Sequence, residues 1–158
     1  MSEHCPQDGG FIGDAGCTHP NHQHSELVKG LLAGSSPGGH LRDITSGEFD
    51  AALDEGFYVN GANGQRIGFG KALLRHFNVD KDPTSNDIKN RKAKLMYAIS
   101  AVTHPDKVEW HHERLQGRTA YTKSFEKFGI LAVSDRGGKN IDYVFNILPK
   151  RSLKRKPI

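Results

Sequence analysis

The feature that most constrains the fold is a change of hydrophobic period at His104-Pro105-Asp106. Before it, Ile88, Leu95, Ile99 and Val102 recur at helical spacing. They predict one long helix from about Thr84 to Val102, with Lys89, Arg91, Lys92 and Lys94 mostly off the apolar face. After it, the chain reads in strand-length segments at Val108–His112, Arg118–Phe125, Gly129–Ser134 and Ile141–Leu148. In the last of these, Ile141, Tyr143, Phe145 and Ile147 alternate onto one face. Asp135-Arg136-Gly137-Gly138 reads as a turn and Pro149 as a strand stop. Upstream, Ser25 is an N-cap for a helix over residues 25–33, and Gly34 to Gly39 reads as a linker. Thr45 or Ser46 starts a second helix that Gly56 closes. Phe57–Val59 and Arg66–Phe69 flank a turn-rich stretch and predict a hairpin. A short helix follows at Lys71–His76, then a loop from Val79 to Pro83. N-terminal helices and a hairpin followed by a four-stranded antiparallel sheet is an α+β order.

A chain of 158 residues suits one main domain. The expected division is a Gly/His-rich N-terminal segment at 1–40, an α+β domain at 41–150 and a basic tail at 151–158. No apolar run approaches the ~20 residues of a membrane helix. The first residues lack the basic flank and apolar stretch of a secretory signal, so no membrane partner is expected. Cys5 and Cys17 are the only cysteines and precede the main domain, which fits folding in a reducing cytoplasm. Cys5, Cys17, His19 and His22, with His24 beside them, are zinc-ligand types. Their Cys-x11-Cys-x-His-x2-His spacing matches no standard finger. The alternatives are a structural zinc knot, a His-rich leader, or a Cys5–Cys17 disulfide in an oxidising setting. No cofactor is expected for catalysis.

Charge is divided unevenly along the chain. Residues 1–56 carry two Lys/Arg against nine Asp/Glu, a net −7, and residues 57–158 carry 20 against nine, a net +11. A basic half is the electrostatic footprint of a polyanion partner, although many basic domains bind nothing. That half holds His76, His111, His112, Arg118, Tyr121 and Lys123, the side-chain types that cut RNA without a metal. Imidazoles suit the base and acid steps, and Arg and Lys stabilise the phosphorane. Tyr121 and Lys123 share a strand face with Thr119, whereas strand parity puts Arg118 on the other face unless a bulge re-aims it or it sits in the preceding turn at Gly117. A solvated polar strand face is the plain alternative. Asn146 lies with Asp142 on the polar-leaning face of the last strand and is a candidate for base or phosphate contact. Lys150, Arg151, Lys154, Arg155 and Lys156 would steer nucleic acid in a salt-dependent way.

The segments IGFGKALLRHF, HPDKVEW, GRTAYTKSF, KFGILAVSD and IDYVFNILPK, in that order, resemble phage-associated toxin nucleases of the barnase/EndoU/colicin/RelE-like superfamily. Such domains occur with phage head-morphogenesis proteins. The resemblance spans residues 46–150. It implies a metal-independent endoribonuclease acting by transesterification, on tRNA or ribosome-bound RNA, in the phage virion or the bacterial host cytoplasm. A phage capsid protein or an immunity protein would be the partner. Carried over by position, it implicates Lys71, His76, Arg118, Tyr121 and Lys123. The family often has Thr or Ser in the last strand. Here only Tyr143 supplies a hydroxyl there, and Asn146 stands in as substitute. Two other classes remain open: a non-catalytic nucleic-acid-binding or virion structural protein, and a host-takeover interaction module.

Overall fold

The computed structural model describes residues 24–62, 64–112, 118–138 and 141–151. Local chemistry sets the helix ends. Ser25 Oγ accepts the Val28 N–H at the start of α1 (Glu26–Gly34). Thr45 and Glu48 form a reciprocal capping box for α2 (Ser46–Glu55). Gly56, at φ 79°, ends α2, and its N–H returns to Ala52 O. The hairpin is β1 (Phe57–Asn60) and β2 (Arg66–Phe69), with the Phe57 and Phe69 rings stacked 5.2 Å apart. The short helix α3 (Lys71–Arg75) runs straight into a π turn over His76–Asp80, where a loop was expected from Val79.

The single long helix expected over 84–102 is two helices, α4 (Asn86–Ala93) and α5 (Leu95–Thr103). Lys94 breaks them with ψ 17°, and its N–H bonds Arg91 O. The break follows from unlike surroundings. α5 buries seven of its nine residues under the sheet, whereas α4 buries only Ile88 and Lys92. One straight rod cannot present both patterns. Lys94 itself is held at the junction by Asp43, 2.8 Å away, and over the Phe128 ring.

The remaining strands are β3 (Lys107–His112), β4 (Arg118–Ser124), β5 (Gly129–Gly138) and β6 (Ile141–Lys150). The class is α+β, but the sheet is not a four-stranded antiparallel one with a hairpin set apart. All six strands form one mixed sheet in the order β1-β2-β6-β5-β4-β3, with β2 parallel to β6. A lone apolar hairpin is marginal in water; joined to β6, it places Ile67 and Phe69 on the buried face, in one core with the helix residues. Asp135–Gly138 is not a turn: β5 continues through it against Tyr143, Asp142 and Ile141. Pro149 does not stop β6. β2 pairs with β6 only at Ile141–Tyr143, so Pro149 needs no ladder donor on that side.

Registered partners share a face. The face packed under the helices carries Ile67, Phe69, Val144, Ile147, Ala132, Ile130 and Tyr121. α1, from the expected N-terminal segment, adds Val28 and Leu31 to the same core.

Candidate nucleic-acid interface

β6 departs from simple alternation, and that departure builds the site. Val133 pairs with Asn146 and Ser134 with Val144, leaving Phe145 as an extra residue. Such a bulge turns two consecutive side chains to one side. Asp142, Val144 and Ile147 are therefore the buried set, and Phe145 and Asn146 lie on the opposite face with Tyr143. The expected apolar stripe of Ile141, Tyr143, Phe145 and Ile147 is not the one that packs.

Beyond Tyr143 the β2 side of β6 is unpaired among the described residues, and α3 packs there. At this opening the His76 ring meets the Phe145 ring edge-on at 5.5 Å. On the same ring sits Arg118, with Cζ 4.2 Å from the centroid. Arg118 Nε donates to Asp135 Oδ2 at 3.3 Å. Arg91 reaches in from α4, donating to Asn146 Oδ1 at 3.1 Å and pairing with Asp87 at 3.0 Å. Three of the sequence candidates, His76, Arg118 and Asn146, thus surround Phe145.

His76 Nδ1 lies 3.5 Å from Asp80 Oδ2, one helical turn on. Its Nε2 is buried and makes no hydrogen bond, and the same is true of Arg91 Nε. Burial lowers the His76 pKa below 6.5. Asp80 opposes that shift, and the Lys81 and Arg91 charges add to it. The imidazole is thereby biased to its neutral form, with Asp80 in place to fix the ring. Burial also raises the Tyr143 phenol, helped by Asp135 and opposed by Arg118. Tyr143 keeps its proton and can donate it in a hydrogen bond.

The other candidates lie elsewhere. Tyr121 is 0% exposed in the core on the helix-covered face, and burial pushes its pKa up to about 12. Its phenol cannot meet a phosphate there. Lys123 is on the same face and donates to His104 O at 2.6 Å, satisfying a carbonyl at the C-terminus of α5. The irregularity that was to re-aim Arg118 lies in β3, between Glu109 and His112, so plain parity holds in β4. Lys71 opens α3, exposed to solvent. The His112 backbone registers against Arg118; its side chain and that of His111 lie outside the described residues. Lys150 ends β6 and Arg151 follows it, both exposed, and Lys154, Arg155 and Lys156 lie outside the described residues. So do Cys5, Cys17, His19 and His22. Among the described residues no three His, Cys, Asp or Glu side chains cluster as metal ligands, and no helix is long and apolar enough to cross a membrane.

Arg91, Asp80, Tyr143 and Phe145 are not among the site candidates that the sequence offers. Phe145 looked like core because strict alternation was assumed. The Asp80 signal was present as a His-x3-Asp spacing, which a helix-type turn brings together. No family model, curated protein or solved structure matches the chain.

Proposed function

We propose that the protein is a metal-independent ribonuclease that binds RNA across the Phe145 face, in the phage-toxin setting that the sequence resemblance implies. One observation carries this reading: an imidazole backed by a carboxylate and a guanidinium flank one aromatic ring at an opening in the sheet. His76 Nε2 takes the 2′-hydroxyl proton while Asp80 holds the ring; the 2′-oxygen bonds to phosphorus, the P–O5′ bond breaks to leave a 2′,3′-cyclic phosphate, and the departing 5′-oxygen takes a proton from water. Arg118 and Arg91 face the charge that develops on the phosphorane, and Tyr143 and Asn146 offer hydrogen bonds to its oxygens. An unpaired base stacks at Phe145. Nε2 has no free surface, so a ribose reaches it only when the side chains packed on the ring move aside. Tyr121 and Lys123 take no part.

The test is RNA degradation by purified protein in EDTA. His76→Ala is expected to slow it by ~10²–10⁴-fold, the range for loss of a general base. Intact RNA after incubation of folded protein with a range of RNAs overturns the proposal. A second reading, RNA binding without cleavage, draws on the sealed Nε2 and on an Arg118 already paired with Asp135. It predicts salt-sensitive binding, no product, and harmless expression in bacteria.

A further inference from the structure

The π turn that carries His76 and Asp80 also carries Phe77 and Asn78. Lys92 on α4 is 2% exposed. Its Nζ donates to Asn78 Oδ1 at 2.6 Å and to Asp50 Oδ1 at 3.0 Å. Asn78 Nδ2 donates to the same Asp50 oxygen at 3.2 Å. The ammonium also stands 5.6 Å from the Phe49 ring centroid, and Phe49 stacks on Phe77 at 5.6 Å. One buried cation therefore grips two consecutive residues next to His76, one by a hydrogen bond and one through a pair of rings.

A buried ammonium is costly, and an apolar residue of similar length gives a helix its packing without that cost. Packing alone does not account for Lys92. A π turn is rare and needs tertiary contacts to hold it. We propose that Lys92, with Asp50, is a positioning residue that holds the π turn through Asn78, so that the His76 ring lies between Asp80 and Phe145. This rests on His76 being the working imidazole of the site proposed above. It concerns geometry in the free protein and can be read without RNA.

The experiment is an NMR titration of the His76 imidazole in the full chain, in wild type, Lys92→Met and Asn78→Ala. The charges facing His76 are Asp80 and Lys81 from its own segment, Arg91 from α4 and Arg118 across Phe145. Both variants leave all four in place. With the turn released, the ring loses its burial and the midpoint moves up toward 6.5. A Gly39→Ala control lowers stability from a distance. Its Cβ would stand 2.5 Å from Ala33 O, and the His76 midpoint should not move. An unshifted midpoint in both folded variants overturns the proposal. If Lys92→Met fails to fold, Asn78→Ala decides alone. Wild-type protein that cuts no RNA rejects the nuclease reading and leaves this one standing.

Discussion

At the scale of single residues, accessibility separates the candidates that their chemical types could not. Tyr121 and Arg118 are three apart on one strand, yet one is sealed in the core and the other stacks on Phe145 across the sheet. The buried Tyr121 hydroxyl lies beside the Ser134 hydroxyl without a well-formed hydrogen bond. Tyr121→Phe is therefore expected to change unfolding free energy by no more than ~1 kcal/mol, since only a weak contact with Ser134 is lost, and to leave RNA binding unaltered. Urea unfolding and an anisotropy titration check both. His76 adds a pH dependence. Its folded pKa is depressed, so the unfolded chain binds the proton more readily below 6.5. The stability it contributes is complete above 6.5 and is lost as pH falls toward the folded pKa. The stability gap between wild type and His76→Gln should therefore narrow as urea unfolding is repeated from about pH 8 down to about pH 5. A gap that holds constant rejects the buried, neutral imidazole. His76 was legible as a reactive type near a helix end. Its burial was not, because burial depends on Phe145, 69 positions later in the sequence.

Among the elements, those set by neighbouring residues were readable and those set by distant ones were not. Ser25, Thr45 and Gly56 mark helix ends that the structure keeps, because caps act within four residues. The break at Lys94 was hidden. Helical period continues through it, and the cause is Asp43 together with the sheet beneath α5. The Lys92, Asp50 and Asn78 cluster ties α2, the π turn and α4 together. Removing either end is not equivalent. Asp50→Ala strands a cation that is 2% exposed, and is expected to cost about 3 kcal/mol, the lower end for breaking a buried pair. Lys92→Met leaves Asp50, which is 45% exposed and can be hydrated, and should cost clearly less. Denaturant melts of the two variants compare them directly. Equal losses would mean that the ammonium is not buried as described.

At the scale of the molecule, and among the described residues, the charge division along the chain is not a division in space. Asp43 and Asp50, from the acidic stretch, neutralise Lys94 and Lys92 from the basic one, and Arg118 is paired within the sheet. Among the described residues, Lys150 at the end of β6 and Arg151 just past it are exposed and pair with no carboxylate. The Lys150→Ala/Arg151→Ala double variant should therefore shallow the slope of log K against log salt for single-stranded RNA by ~1.4, at ~0.7 per phosphate contact. Arg118→Ala should alter it less. An unchanged slope in the double variant excludes the end of β6 from the interface.

Period and caps carried the α+β class, the starts of α1 to α4 and the approximate strand positions, because each depends on contacts within a few residues. Three features of the site depended on tertiary structure: the parallel join of β2 to β6, the bulge at Phe145, and the approach of Arg91 to Asn146. The strand join links positions 75 residues apart and the Arg91 contact positions 55 apart, while the bulge is set by register against β5; a one-residue shift in a strand exchanges its buried and open side chains. Local pattern cannot register that shift, whereas packing against a shared core does.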